Sequence, residues 1–313
     1  MATGVISESA QPDSDYAEHG YTVMRSVVPA AKIDRLLRVY ASQIVHSKDR
    51  FFRQNTNRYE TNKVTSNDYV RQSFLDIHGY GKYPEFSEAA REIFCGPEIL
   101  GALGEATGAQ RHNLMQTMLF DLNTATWPHQ DWYYLDSVPN GHLTGAWIAL
   151  EDIQEKAGRF YVIPDSHQCD FGARDPGVTL EMWIKRVGGY VEQNRATLHA
   201  PALRRGDVLF WNSRTVHGSL PTQDENYSRK SLTAHYLPAD LGFGNIFASR
   251  PNIRYQEYAG VKYYRNQPDY SLANHLVSSI KAAVYNYPVV RESLRPLREL
   301  GRRLQTGTRS LRS

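Results

Sequence analysis

Cysteine is scarce. Cys95 and Cys169 are the only two in 313 residues, so no disulfide framework holds the chain together. Two free thiols fit a reducing compartment, and a cytoplasmic location, extending to the inner face of a membrane, is the expectation. Long apolar runs are missing too: none approaches the roughly 20 residues of a membrane-spanning helix. Residues 1–14 are polar and lack a basic-then-apolar pattern, so no secretory signal is expected. Neither charge dominates, since 36 Lys and Arg against 33 Asp and Glu give a net +3. That balance argues against a dedicated nucleic-acid binder. There is no internal repeat and no low-complexity linker. What is present is ordinary core material, 41% hydrophobic residues with 20 tyrosines, enough for a core and an aromatic-lined pocket.

The charge is unevenly spread. From Lys281 to Ser313 there are eight basic residues and two acids, a net +6, which leaves −3 on the other 280 residues. Val290, Leu294, Leu297 and Leu304 follow helical spacing there, with Arg291, Arg295, Arg298 and Arg302 beside them. Such a basic amphipathic segment either lies on an anionic membrane surface or packs on the body with its arginines solvated. Pro296 interrupts a continuous helix.

The chain reads as a tail (1–15), one domain (16–270) and a basic C-terminal tail (271–313). Tyr21–Met24 is a short strand pattern. Pro29 suits a helix start, followed by Ile33, Leu36, Leu37 and Tyr40 at helical spacing. Residues 48–82 are polar and weakly periodic, long enough to predict a lid or binding loop; seven cations and four acids give the stretch +3. Helical patterns return at 87–94 and 97–107. After Arg111, short β-rich runs follow one another: LMQTMLFDL, HLTGAWIALEDI, RFYVIPDSH, ATLHAPAL, DVLFWNSRTVHG and RKSLTAHYLP. A helical front followed by many short strands predicts a mainly β sandwich or barrel with helices packed outside.

The chemistry concentrates in TWPHQDWYYLD. His129 and Asp131 are two residues apart, so on a strand both side chains share a face. His217 closes a later β-rich run. Two imidazoles and one carboxylate occupy one face of an octahedral ion and leave three positions open, the arrangement of non-haem Fe(II) oxygenases. Alone, H-x-D is a weak signal and more often a hydrogen-bonded structural pair. Arg229, twelve residues after His217, sharpens it: a guanidinium there can pair with the distal carboxylate of a dicarboxylic co-substrate. Gln116 reaches either the co-substrate or only its own sheet. Ser231 shares the face of Arg229 and can add a hydrogen bond, while His235 on that face reads as structural. If the strand alternation continues, Tyr133 is a substrate-wall residue and Trp132 turns to the core, although Trp132 stays a substrate-contact candidate beside the iron motif. His167 and Asp207 read as loop and turn residues.

These runs resemble the phytanoyl-CoA dioxygenase family of Fe(II)/2-oxoglutarate oxygenases. The similarity lies in EHGYTVMRSVV (Glu18–Val28), AWIALEDIQEKAGRFYVIPDSH (Ala146–His167) and RRGDVLFWNSRTVHGS (Arg204–Ser219). It runs from about Tyr16 to Leu237, is patchy over 47–85 and does not cover the basic tail. Asp165 stands where the family usually has Gly, and Asp tolerates left-handed backbone better than most residues. The resemblance implies a double-stranded β-helix (a cupin-like jelly roll) with an N-terminal helical layer and a C-terminal helical tail. It implies Fe(II) held by His129, Asp131 and His217, with 2-oxoglutarate chelated to it and clamped by Arg229. It places Trp147 beside that co-substrate, makes O₂ the oxidant, and makes succinate and CO₂ the by-products of C–H hydroxylation. Retention of Asp131 favours hydroxylation over halogenation. Desaturation, epimerisation or cyclisation in secondary metabolism uses the same site. A zinc enzyme is an alternative that leaves Arg229 without a role, and a non-catalytic cupin-like binder is one for which nothing in the sequence argues, since all three ligands and the Arg are intact. The basic 48–82 stretch, with Arg58 as its named contact, suits an anionic small molecule or a lipid-linked acidic sugar, with peripheral membrane contact through the tail.

Overall fold

The computed structural model describes residues 15–286. The expected loose start and the amphipathic positions from Val290 onward lie outside the described residues. In chain order the helices are α1 (Tyr16–His19), α2 (Ala30–Val39), α3 (Pro84–Phe94), α4 (Pro97–Thr107), α5 (Leu180–Gln193) and α6 (Leu272–Asn286). The strands are β1 (Tyr21–Met24), β2 (Phe51–Arg53), β3 (Arg58–Glu60), β4 (Phe74–Leu75), β5 (His112–Phe120), β6 (Asp136–Val138), β7 (Thr144–Ala149), β8 (Phe160–Val162), β9 (Val208–Asn212), β10 (His217–Ser219), β11 (Ser231–Pro238), β12 (Gly242–Gly244), β13 (Gln256–Tyr258) and β14 (Val261–Tyr263).

One eight-stranded sheet runs β1-β9-β7-β11-β5-β14-β13, with β4 added beside β5. Its central strands are buried on both faces, which is why they read as nearly unbroken apolar runs. Alternation sorts the two sides. Ala146, Ile148, Val208, Phe210, Leu232 and Ala234 face α2, α3 and α4 in the largest core. Trp147, Ala149, Leu209 and Trp211 face the opposite way and pack with Tyr21, Val162 and Leu203. A shorter layer covers that second side: β8 pairs β10, and single bridges add His129 to His217 and His199 to Val162. The result is a mainly β jelly roll with flanking helices, and the space between its two layers is where chemistry can be placed.

Several expectations are met in detail. The Tyr21–Met24 strand, the helix after Pro29 and the helix at 97–107 all form, and 87–94 extends back to Pro84. Asp165 takes φ 65°, the left-handed conformation its replacement of Gly requires. Both cysteines are free. One expectation needs correction. ATLHAPAL makes a tight turn and one bridge rather than a strand, since Pro201 removes a ladder donor. The polar 48–82 stretch contributes a hairpin (β2–β3) and the edge strand β4, and its Phe52, Tyr59 and Leu75 pack on Met118 and Phe120 of β5.

The segment after β14 is fixed to β5 by two buried titratable groups. Asp76 accepts the amides of Asn266 and Gln267 at 3.0 and 2.8 Å. His78 Nε2–H donates to Tyr264 O at 3.0 Å, and its Nδ1 lies 2.7 Å from the Thr117 hydroxyl. Burial pulls His78 down to about 3 and pushes Asp76 up to about 6. The two shifts oppose each other. Below its unfolded value of about 6.5, His78 costs stability as pH falls; Asp76 gains stability as pH falls from about 6 towards 3.8. Asp76→Asn removes the second effect, so between pH 7 and 5 it should lose about 1 kcal/mol more stability than the wild type. Urea unfolding at the two pH values checks this, and equal losses in both proteins would refute it.

Candidate metal centre

His129, Asp131 and His217 converge, with one ligand atom from each lying within 4.8 Å of the other two. Their side chains come from different places in the chain. His129 exchanges backbone hydrogen bonds with His217 in an isolated antiparallel bridge, at 3.1 and 3.0 Å. Gln130 is extended (φ −114°, ψ 134°), so Asp131 returns to the side of His129. There the alternation ends: Asp131–Tyr133 winds into a 3₁₀ turn. The expected strand face for Tyr133 is therefore not formed. Tyr133 instead stacks on Trp183 of α5 at 4.4 Å and meets Phe247 edge-on at 5.1 Å.

Each donor is oriented from behind. His129 Nδ1–H donates to Trp127 O at 2.9 Å, and His217 Nδ1–H donates to Thr215 O at 3.0 Å. A carbonyl can only accept, so the proton sits on Nδ1 in both rings and Nε2 keeps its lone pair. Both Nε2 atoms face Asp131 Oδ1, at 3.5 and 3.6 Å. The other carboxylate oxygen is taken: Oδ2 accepts from Trp211 Nε1–H at 2.8 Å and His235 Nε2–H at 3.2 Å. Burial opposes the Asp131 charge, but His217, His235 and the hydrogen bonds to it outweigh burial and hold its pKa well below the usual range. Burial also pulls His217 down to about 4, keeping it neutral. Two imidazole nitrogens and one carboxylate oxygen, all buried, are a donor set that fits a divalent transition-metal ion.

The seat of Trp211 depends on Gly145, directly across the ladder from it. A Cβ on Gly145 would stand 2.2 Å from the indole Cε2 and Cζ2. His217 is packed between aromatic rings, Trp211 at 4.9 Å and Phe160 at 5.5 Å. None of Trp211, Gly145 and Phe160 was marked by spacing, because an aromatic or a glycine within a strand pattern reads as core or bulge.

Arg229 is 2% exposed, just before β11. Its Nη1 donates to Gly158 O at 3.1 Å and Ser219 Oγ at 3.0 Å. Its Nε is buried without a hydrogen-bond partner, and no ion pair to it occurs among the described residues. Burial alone lowers it to about 10. Ser219 lies two residues beyond His217 on β10, so it emerges on the same side, about 7 Å along the strand. The guanidinium is thus held near the three donors with an unmet demand for an anion. Phe120 and Trp147 flank its carbon, each ring centre at 5.9 Å.

The remaining candidates divide. Trp147 is buried, stacked on Phe160 at 5.9 Å. Gln116 lies opposite His235 in the ladder and is the one half-buried residue in a strand otherwise buried throughout. Ser231 Oγ donates to Arg229 O at 3.1 Å, so its hydroxyl is occupied by its own strand. Trp132 is core: its indole donates to Gln130 Oε1 at 2.8 Å. Arg58 is exposed on β3, opposite Arg53 in the hairpin; Arg53 is the buried cation there, donating to Ser73 O at 3.0 Å. Of the cations on 48–82, Arg71 pairs with Glu225 outside the stretch, Lys82 pairs with Asp49 within it, and Arg53 is buried. Asp121 joins this cover to the site: Oδ2 accepts Val70 N–H at 2.8 Å and Tyr40 O–H at 2.7 Å, and its carbonyl accepts Arg229 N–H at 2.6 Å. His167 packs against Gly20 in the turn after β8. Asp207 receives the amides of Ser26 and Arg204, a turn-holding role.

Comparison with known proteins adds an independent line. The family model described as phytanoyl-CoA dioxygenase (PhyH) matches residues 16–231. The peroxisomal phytanoyl-CoA dioxygenase of Homo sapiens is 24% identical over 269 residues, 79% of this chain and 73% of that protein. Phytanoyl-CoA dioxygenase domain-containing protein 1 of Danio rerio is 30% identical over 118 residues, 36% of this chain and 39% of that protein. Among solved structures, the non-haem alpha ketoglutarate-dependent carbocyclase SnoK from nogalamycin biosynthesis superposes with TM-score 0.53 at 20% identity, covering 74% of this chain and 85% of its own. The epimerase SnoN in complex with Fe³⁺, alpha ketoglutarate and nogalamycin RO gives 0.52 at 18% identity, covering 81% and 94%. At these identities the two structures speak for a shared fold.

Proposed function

The chain belongs to the phytanoyl-CoA dioxygenase family, Fe(II)/2-oxoglutarate-dependent oxygenases, and on that premise we propose that it hydroxylates a C–H bond of an anionic small-molecule or lipid-linked substrate, releasing succinate and CO₂. Residues 16–270 act as one catalytic domain. His129, His217 and Asp131 would hold the iron, which would supply O₂-dependent oxidation when bound together with 2-oxoglutarate. The protein's own residues orient and exclude. Trp127 and Thr215 carbonyls fix the imidazole tautomers, while Trp211 and His235 leave one Asp131 oxygen for the metal. Arg229 pairs with the distal carboxylate of the co-substrate, and Phe120 and Trp147 keep water from that ion pair. Gln116 faces the same space. Tyr133 with Phe247, and the cover over residues 48–82, form the substrate side.

The observation that carries this reading is the buried guanidinium of Arg229, held by Ser219 two residues from His217 and without an acid partner among the described residues. A zinc hydrolase gives it no role. SnoK and SnoN are a carbocyclase and an epimerase, so product mass decides the reaction type. Anaerobic titration of the protein with Fe(II) and 2-oxoglutarate should produce a weak visible charge-transfer absorption, which requires a keto acid chelated at the metal. With O₂ and a turned-over substrate, one succinate should appear per oxygen atom inserted. No absorption in folded, metal-loaded protein would sink the co-substrate assignment. A product two hydrogens lighter, or isomeric with its substrate, would replace hydroxylation by desaturation or epimerisation.

A further inference from the structure

Helix α6 carries its polarity the wrong way round for a helix packed on a globular body. Leu272, Ala273, Leu276, Val277 and Ile280 are exposed, Leu272 by 79% and Leu276 by 62%. At helical spacing these five positions span one arc of roughly 140°. The polar residues are on the other side and face the protein. Asn274 Nδ2 donates to Asp269 O at 2.8 Å, the His275 ring lies 6.3 Å from Tyr59, and Ser278 is buried. A surface helix of a soluble domain shows the opposite arrangement, and a contiguous exposed apolar face marks a binding surface.

The chain that follows supplies a second, independent feature. Residues 281–313 carry a net +6, with Glu292 and Glu299 as the only acids. An exposed apolar helix face joined directly to an arginine-rich segment matches the two attractions of an anionic bilayer, acyl-chain contact and headgroup charge. A second copy of the chain would bring another +6 segment against the first, so charge opposes that occupant. We propose that the apolar face of α6 is an interfacial docking surface for an anionic lipid bilayer, the net +6 of the sequence from Lys281 onward being the charge that selects anionic lipid as its occupant. Because α6 rests on Tyr59 of β3, docking takes place beside the hairpin whose Phe52 and Tyr59 pack over Phe120, next to Arg229.

The test uses the full chain without metal or co-substrate, so it stands apart from the catalytic assignment. Vesicles of phosphatidylcholine containing roughly one third phosphatidylglycerol should carry the protein through flotation at low salt. Pure phosphatidylcholine vesicles should not. Raising salt to about 0.5 M should reduce partitioning by about tenfold or more. The double variant Leu276→Ser/Ile280→Ser should reduce it by at least about tenfold with an unchanged melting temperature, both side chains being exposed. Leu276→Trp should show a blue shift of its added emission only when anionic vesicles are present. Failure of the folded wild type to float, or full binding by the double variant, overturns the proposal. A Leu276→Trp emission already blue without vesicles also overturns it, since the face would then be covered by the chain itself or by a second copy.

Discussion

Arg229→Leu should weaken 2-oxoglutarate binding by about thirty-fold or more and leave the protein as hard to unfold as the wild type, or harder. The guanidinium is 2% exposed, its Nε has no partner, and no acid among the described residues neutralises it. An unpaired buried charge costs several kcal/mol of folding free energy, and apolar replacement of such groups is often neutral or stabilising. Leu forfeits the Nη1 bonds to Gly158 O and Ser219 Oγ, each worth about 1 kcal/mol, and still removes the larger desolvation cost. Co-substrate binding moves the other way. Removing one member of a buried, hydrogen-bonded ion pair costs about 2–5 kcal/mol, a factor of about thirty to several thousand in affinity. Arg229→Lys keeps the charge without the planar fork and should fall between the two. The check is the melting temperature with and without saturating 2-oxoglutarate and metal. The wild type should rise by mass action; Arg229→Leu should start at or above the wild-type value and rise by clearly less at the same 2-oxoglutarate concentration. A Leu variant stabilised by 2-oxoglutarate as strongly as the wild type would show that the carboxylate is bound elsewhere.

How much of this was legible from the sequence depends on whether a residue type carries its chemistry with it. His129, Asp131, His217 and Arg229 stood out because few other residues can ligate a metal or grip a carboxylate, and their order along β-rich runs was compatible with convergence. The residues that aim them were not visible. Trp211 reads as one more core aromatic in DVLFWN, and nothing local reveals that its indole N–H ends on Asp131, 80 residues away in sequence. Gly145 carries no side chain to notice; its requirement appears only when β7 and β9 are paired. The strand face expected to carry Tyr133 does not form, because periodicity assumes the strand continues, whereas the chain tightens into a 3₁₀ turn at Asp131. Helix α5 went unpredicted because Gly188 and Gly189 interrupt its helical pattern; burial of Trp183, Val187 and Val191 fixes it through tertiary packing. The polar cover was recognised by composition; the pairing of Arg71 with Glu225, outside it, is a property of the folded chain.

Trp211→Phe and Gly145→Ala should weaken Fe(II) binding by similar factors, and the two changes together should be no worse than the more damaging one. Phe preserves the ring packed on His217 at 4.9 Å but has no N–H, so Asp131 Oδ2 keeps only the His235 contact. The carboxylate is then free to rotate, and Oδ1 is no longer presented to the two Nε2 atoms. Loss of such an orienting partner lowers metal affinity by about 10- to 100-fold. Gly145→Ala reaches the same point from the other side. Its Cβ would fall 2.2 Å from two indole carbons, so the ring must move, and the Trp211 hydrogen bond to Asp131 is lost with it. The backbone at Gly145 is ordinary strand, so added volume is the whole effect. If Gly145 acts only by seating Trp211, the smaller phenyl ring that Trp211→Phe brings to the double variant leaves room for the Ala methyl, and the losses do not add. Competition for Fe(II) against a chelator, run beside thermal unfolding of the metal-free proteins, separates a loosened ligand from a damaged core. Wild-type iron affinity in Trp211→Phe would remove the indole from any role at the centre. Strictly additive losses in the double variant would mean that Gly145 supports the sheet by a route that does not pass through Asp131.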